Sequence, residues 1–185
     1  MKISSTFTVT QAGMGLSGLR KEMIGIARTA AKVGVLRSTA ARDNSHLATG
    51  STGKDMNNAE VGFANEFGSV TEYHQVSATT GKSLSGSGVP ERSFLRVPLT
   101  NHMDSKEEVV GRGVMSVLEG NIKPDDAAGI LGLAGVEVVD EAFATGGYGL
   151  WPPNSDRTAA WKGHARPLID TGQLADSIAS ETVKA

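Results

Sequence analysis

The sequence lacks cysteine altogether: none of its 185 residues is one. This absence excludes a disulfide framework, a thiolate nucleophile and zinc sites with cysteine ligands. Aromatic residues are also scarce, at 5% of the chain. No apolar run approaches the roughly 20 residues that cross a bilayer, since even the stretch Ile130–Val139 contains Gly132, Gly135 and Glu137.

Neither sign of charge dominates, because 18 Lys and Arg residues stand against 20 Asp and Glu residues, giving a net charge of -2. This balance argues against a dedicated nucleic-acid binder with a basic face and against a polybasic membrane module. The first part of the chain lacks a basic start followed by an apolar block, so we expect no secretory signal. The composition therefore predicts a soluble intracellular domain, and the length favours a single domain over residues 1–185.

The first half of the chain predicts two strands and two helices. Ile3–Thr10 is β-branched and is compatible with a strand, and Met14–Ala31 has the 3- and 4-residue apolar spacing of an amphipathic helix. Lys32–Arg37 predicts a short strand, and the polar stretch Ser38–Met56 predicts a loop. A helix is then expected over Asn58–Phe67.

Two signals support the helix over Asn58–Phe67. Asn57 and Glu60 form a capping box, and Gly68 suits the left-handed position that ends a helix. The following stretch, Ser69–Val89, is the least regular of the chain. Its first part, Thr71–Ser77, predicts a strand, and its second part, GKSLSGSG, predicts a flexible loop.

The second half of the chain predicts mainly helix. Helices are expected over Ser105–Glu119 and from about Asp125 to Ala144, the second with apolar residues on more than one face. A short helical turn is expected at Thr158–Lys162, and Ser177–Val183 closes the chain as a strand. We therefore predict an α+β fold, in which a small antiparallel or mixed sheet is packed by several helices and joined by long flexible loops.

Gly13, Gly15 and Gly18 form a G-x-G-x-x-G sequence before the first helix, with Asp43 further along the chain. This outline is typical of a dinucleotide-binding βαβ unit. The preceding stretch is rich in Ser and Thr, whereas buried parallel strands are usually continuous apolar runs, and no alternation of strands and helices follows. A nucleotide-binding enzyme using Gly13–Gly18 remains an alternative.

The other chemical signals are weak. The four histidines are scattered and share no metal-ligand spacing with carboxylates, so no metal site is expected. Asp170-Thr171-Gly172 has the sequence of an aspartic-protease motif, but with Gln173 it favours a helix cap. Trp151 and Trp161 flank Pro152-Pro153 and are interpreted as packing anchors.

Three segments follow one another along the chain: Ala64–Gly68 (ANEFG), Val89–Arg96 (VPERSFLR) and Pro167–Leu174 (PLIDTGQL). Lys162 precedes the third segment, and Ser177-Ile178 follows it. This order resembles the neck and tail-completion proteins of long-tailed bacteriophages, including the virion-morphogenesis proteins of Mu-like phages. The residues that carry the resemblance are Asn65, Glu66, Phe67, Gly68, Pro90, Arg92, Phe94, Leu95, Arg96, Lys162, Pro167, Leu168, Asp170, Thr171, Gly172 and Leu174.

The resemblance implies a structural virion protein at the head–tail junction, assembled in the cytoplasm of a bacterial host, without catalysis, cofactor or metal. Such proteins form a homo-oligomeric ring, hexameric or twelvefold, that joins portal-side connector proteins to tail proteins. Genomic DNA passes through the ring without sequence-specific binding, and no membrane is involved. A tail terminator, which caps the tail tube directly, is the alternative within the same class.

The sequence departs from the family pattern in two places. Residues 69–89 form an insertion, interpreted as a flexible arm, between the first two motifs, and Ser93 stands where proline is frequent. Phe67 and Phe94 are expected to be core anchors, because they are two of only five phenylalanines. Arg92 and Arg96 are expected to share a helical face and to pair with carboxylates of a neighbouring subunit.

Overall fold

The computed structural model describes residues 15–185. Its helices are α1 (Leu16–Ala27), α2 (Asn58–Phe67), α3 (Arg96–His102), α4 (Glu107–Leu118), α5 (Pro124–Thr145), α6 (Asp156–Lys162) and α7 (Gln173–Asp176), with a 3-10 turn at Met103–Lys106. Its strands are β1 (Thr29–Val35), β2 (Ser69–Val76), β3 (Ser83–Val89) and β4 (Ile178–Lys184). The predicted α+β class is confirmed.

Helix α5 organises the fold, because it packs against β1, β4, α1, α3 and α4. Strands β1 and β4 form an antiparallel pair that runs from Thr29 opposite Lys184 to Val35 opposite Ile178. Small residues on α5 allow this helix to lie close to the two strands. A Cβ atom at Gly132 would lie 2.8 Å from the Ser180 Cβ, and one at Gly135 would lie 2.9 Å from the Val33 Cγ2.

The core lies between α5, β4 and the segment that leads into α3. Its buried side chains are Phe94, Val139, Phe143, Leu174 and Ile178. The rings of Phe94 and Phe143 are 5.4 Å apart, and Trp151 meets Phe143 edge-on at 5.6 Å. The Trp151 indole nitrogen donates a hydrogen bond to the Ser93 carbonyl at 3.0 Å, so this tryptophan is a packing anchor, as predicted.

The helix predicted over Met14–Ala31 is shorter in the structure. It begins at Leu16 and ends at Ala27, and β1 starts at Thr29 rather than at Lys32. The reason is tertiary, because residues 29–31 pair with residues 182–184 of β4. The strand predicted at Ile3–Thr10 lies outside the described residues.

Helix α2 has the predicted bounds and the predicted capping box. The Asn57 side chain accepts hydrogen bonds from the Ala59 and Glu60 amides, and Glu60 accepts one from the Asn57 amide at 2.8 Å. Gly68 ends the helix with φ 73° and ψ 170°, outside the expected left-handed helical region. The chain extends at this residue because it enters β2 directly.

Residues 69–89 form a β-hairpin, which corrects the expectation of an irregular second half. Strands β2 and β3 are antiparallel, with Tyr73 opposite Gly86 and His74 opposite Ser85. Gly86 leaves room for the Tyr73 side chain, since a Cβ atom there would lie 2.8 Å from the Tyr73 hydroxyl oxygen. Backbone pairing and this cross-strand contact supply the order that the Ser- and Gly-rich sequence does not signal.

None of the helices within residues 15–185 combines the length and the apolar character that a bilayer crossing requires.

Candidate functional site

The three motif segments meet at a cleft of about 850 Å³. The cleft lies between the β2–β3 hairpin, the loop at residues 42–56, the loop before and after α6, and the segment that leads into α7. Its motif residues are Asn65, Pro90, Arg92, Lys162, Leu168, Asp170, Thr171, Gly172 and Leu174. Residues that are far apart in sequence therefore share one concave surface.

Glu66 joins the first motif to the second. Its carboxylate is buried, with 5% of the residue exposed. It accepts hydrogen bonds from the Ser93 hydroxyl at 2.5 Å and from the Phe94, Leu95 and Arg96 amides at 2.7, 2.9 and 3.0 Å. These amides lead into α3, where N–H groups have no partner within the helix and a negative charge is favourable.

Arg92 joins the second motif to the Pro152-Pro153 turn. Its guanidinium donates to the Pro152 carbonyl at 2.8 Å and to the Pro153 carbonyl at 3.0 Å, and the residue is 6% exposed. Burial lowers the pKa of this guanidinium. The expected shared helical face with Arg96 is wrong, because Arg92 precedes α3.

Arg96 makes its contacts within the same chain. Its guanidinium forms an ion pair with Glu91 at 2.7 Å and lies 5.4 Å from the centre of the Phe67 ring. Within residues 15–185 of the subunit, Arg96 thus has a carboxylate partner in Glu91, whereas the Arg92 guanidinium donates only to the two proline carbonyls. The expected pairing of these arginines with carboxylates of a neighbouring subunit stays a prediction.

The expectation for the two motif phenylalanines is half right. Phe94 is 1% exposed and lies in the core, whereas Phe67 is 53% exposed. Helix α2 buries the face that carries Asn58, Gly62 and Glu66, so its aromatic face, with Phe63 and Phe67, points outward. The apolar spacing of α2 indicates a helix correctly but does not mark its buried face.

Asp170 does not cap α7, which corrects the prediction made from Asp170 and Gln173. Gly172 occupies the cap position with φ 83° and no side-chain hydrogen bond to the helix. Asp170 instead lies 3.8 Å from the His46 ring nitrogen. Gln173 accepts a hydrogen bond from the Asp43 amide at 2.6 Å and donates one to the Asp43 carbonyl at 2.9 Å, which fixes the loop that forms one wall of the cleft.

Leu168 connects the third motif to the core. It packs against the core cluster and has a φ of 56°, a conformation that is uncommon for a residue with a side chain. The chain therefore turns sharply just before Asp170 and Thr171 reach the cleft.

The wall of the cleft includes three basic residues, Arg42, Arg92 and Lys162. Burial lowers the pKa of each, and the negative charge of Asp170 partly opposes this for Arg42 and Lys162. Arg42 and Lys162 are half-buried. Sequence analysis did not single out Arg42, because it lies outside the motifs and in a loop.

The arrangement at Gly13–Gly18 differs from a dinucleotide-binding unit where it is described. Gly15 caps α1 and Gly18 lies within this helix, whereas Gly13 lies outside the described residues. Strand β1, which follows α1, pairs antiparallel with β4. Within residues 15–185, no group of three or more His, Asp or Glu side chains is placed to hold a metal ion.

The chain matches no protein-family model, no curated protein and no solved structure.

Proposed function

We propose that this protein is a structural virion protein, a neck or tail-completion protein that assembles as a homo-oligomeric ring at the head–tail junction of a long-tailed phage. The observation that carries the proposal is the connection of the three motifs. Glu66 binds the backbone of the second motif, and residues of all three motif segments line one cleft. The three motif segments therefore contribute to one concave surface, although they are far apart along the chain.

Two exposed apolar patches support self-assembly. We define the aromatic patch as Phe63, Phe67 and Val70, which are 68%, 53% and 95% exposed. We define the α1 patch as Leu16, Met23 and Ile24, which are 87%, 57% and 41% exposed. Exposed apolar side chains that adjoin one another are typical of interaction surfaces.

The charges around the two patches are complementary. Arg20, Lys21 and Arg28 are exposed on or just after α1, and Glu60 is exposed beside the aromatic patch. At the same patch the charges of Glu91 and Arg96 pair with each other. A ring is built from head-to-tail contacts between two different surfaces of the same subunit. The aromatic patch of one subunit and the α1 patch of the next have the chemistry that such a contact requires.

Particle imaging tests the proposal. The tagged protein is produced with the proteins of the phage that encodes it, and assembled particles are examined by cryo-electron microscopy. A ring of this chain between portal and tail tube is the expected result. Binding to isolated tail tubes but not to portal-side proteins would favour the tail terminator, and absence from every particle would contradict both.

A charge exchange tests the ring contact without the phage. We expect Glu60→Lys and Arg20→Glu each to weaken self-association of the pure protein, because each places like charges across the contact. The two variants mixed together should associate more strongly than either alone, since every contact between a Glu60→Lys subunit and an Arg20→Glu subunit brings opposite charges together. Sedimentation velocity measures this, with Glu107→Lys on α4 as the control. Equal behaviour of all these samples would contradict the head-to-tail contact.

A further inference from the structure

The three basic residues of the cleft have no carboxylate partner. Among residues 15–185, the ion pairs involve other cations, and none includes Arg42, Arg92 or Lys162. Residues 1–14 contain no Asp or Glu that would neutralise them. A buried charge normally has an oppositely charged partner. Among the described residues, one buried and two half-buried cations therefore share this surface without such a partner.

Within the described part of the chain, the three cations donate hydrogen bonds only to neutral acceptors, which do not neutralise their positive charge. Arg42 donates to the side-chain oxygens of Asn44 and Asn58, at 3.0 and 2.8 Å. Arg92 donates to two proline carbonyls, and Lys162 makes a single long bond of 3.3 Å to the Arg166 carbonyl. The Lys162 ammonium, which can donate three hydrogen bonds, is therefore the least satisfied of the three.

The cleft is locally positive in a chain whose net charge is -2. Two acidic residues line it, Asp170 and Glu72, against the three cations. Asp170 lies 3.8 Å from the His46 ring nitrogen and also acts on Arg42 and Lys162 through its charge, whereas Glu72 is exposed on the hairpin. An anion that enters the cleft therefore meets an excess of positive charge at its inner wall.

The lining of the cleft favours a peptide. Its volume of about 850 Å³ falls in the range of about 300–1,000 Å³ typical of pockets that enclose small ligands. Tyr73, Gln75 and Leu84 of the hairpin give one wall a mixture of apolar and amide groups, which suits a polypeptide. A duplex nucleic acid is far too wide to enter.

We infer that this cleft binds the carboxylate side chains of a short acidic segment of a partner protein, through Arg42, Arg92 and Lys162. The identification of the partner as another virion protein rests on the proposed function. Each carboxylate would form charge-assisted hydrogen bonds with the guanidinium or ammonium groups. Such hydrogen bonds are stronger than those between neutral groups.

A peptide titration tests the inference with the full chain. Capped hexaglutamate is added at low salt, and binding is followed by calorimetry and by the fluorescence of Trp161, which lines the cleft. Hexaglutamine, hexathymidylate and citrate are the comparison ligands. We expect hexaglutamate to bind at least tenfold more tightly than each of them.

Variants of opposite sign make the test specific. Lys162→Gln should weaken hexaglutamate binding at least fivefold, Lys162→Arg should retain it, and Asp170→Asn should strengthen it. Lys123→Gln, which removes an exposed lysine beside α5, is the matched control and should leave binding unchanged. Thermal melts identify a variant that fails to fold. If Lys162→Gln fails to fold, the expected gain in binding of Asp170→Asn still tests the inference.

Four outcomes would overturn the inference. These are equal binding of hexaglutamate and hexaglutamine, equal losses in Lys162→Gln and Lys123→Gln, tighter binding of hexathymidylate, and tighter or equal binding of citrate. The third indicates a nucleic acid and the fourth a small polycarboxylate. A protein that forms no ring but binds hexaglutamate as described would reject the proposed function and leave the cleft assignment standing.

Discussion

The body of the molecule around α5 and the side that carries the hairpin are stabilised in different ways. In the body, Val138, Val139 and Ala142 are 0% exposed, and Phe94 is 1% exposed. In the hairpin, residues 69–89, only Leu84 is buried. The body is therefore held by close packing of apolar side chains, which is dense and tolerates little change.

The hairpin is held to the loop beside it by hydrogen bonds. The Ala48 amide donates to the Val76 carbonyl at 2.7 Å, and the Thr52 amide donates to the His74 carbonyl at 2.6 Å. The Ser51 hydroxyl adds a bond from the Val76 amide at 2.8 Å. Regions with few buried apolar contacts open more easily than the core, so the cleft lies on the side of the molecule that adapts most readily to a partner.

Removal of one buried side chain from each side gives the sharpest contrast. Phe94→Ala should destabilise the protein by about 3–5 kcal/mol in urea unfolding, because it leaves a cavity against Phe143. Leu84→Ala should change the global free energy of unfolding by less than about 1 kcal/mol, since the hairpin opens as a separate unit. Its effect should instead be faster amide hydrogen exchange across residues 69–89. An equal loss of global stability in the two variants would show that the two sides unfold together.

Glu66 lies where the two sides meet, at the end of α2 just before the hairpin. Glu66→Gln should destabilise by about 2–3 kcal/mol, because the amide nitrogen of glutamine cannot accept the hydrogen bonds that a carboxylate oxygen accepts. Glu91→Gln is the control, since Glu91 is exposed and pairs only with Arg96 among the described residues; we expect a change of about 0–1 kcal/mol. Chemical unfolding measures the loss of stability in both variants. Equal losses would show that Glu66 does not stabilise the connection between the two sides.

Two glycines of α5 test how tightly the body is packed. Gly135→Ala places a methyl group against Val33 and should destabilise by about 1–2 kcal/mol through overpacking. Gly129→Ala on the same helix has no atom within 4 Å of the added Cβ, and it should stabilise by about 0.5–1 kcal/mol through helix propensity. Thermal melts distinguish the two signs. A stabilising Gly135→Ala would mean that the sheet moves away from α5 at little cost.

The same division separates what the sequence predicts from what it does not. In the body, the spacing of apolar residues predicts α4 and α5, and the capping box at Asn57 predicts α2, because these signals act over a few residues. The boundary between α1 and β1 is missed, since it depends on pairing with β4 at the far end of the chain. Local propensity yields to such long-range contacts.

On the cleft side, the sequence motifs contain residues that the structure brings together, but they do not predict the contacts of those residues. The motifs identify Glu66, Arg92 and Asp170, but their partners are backbone groups or side chains far away in sequence. The buried face of α2 is polar and small, opposite to the usual rule, because Glu66 needs to reach the start of α3. Strand β3 has a Ser- and Gly-rich sequence that does not predict a strand by itself. Its extended conformation depends on pairing with β2.

The smallest predicted effect concerns the acidic surface of the body at Asp140. Burial, with added repulsion from Asp176 and Glu137, raises the pKa of Asp140 in the folded protein, while Glu137 also pairs with Lys106 at 2.9 Å. In the unfolded chain the pKa is about 3.9. The cost of ionising Asp140 in the folded protein therefore begins near that pH and is complete once the pH exceeds the raised folded pKa. Below about pH 3 the group is protonated in both states and this cost is absent.

Asp140→Asn should therefore stabilise the protein by about 0.2–0.5 kcal/mol at pH 7, a small value because solvent screens this mostly exposed group. The stabilisation should fade as the pH is lowered towards 3, which urea unfolding at a series of pH values measures. Asp55→Asn, at an exposed loop residue beside the cleft, is the control and should show no such trend. If Asp140→Asn raises the free energy of unfolding by the same amount at every pH, the effect comes from packing. The charge of Asp140 would then not contribute to the pH dependence of stability.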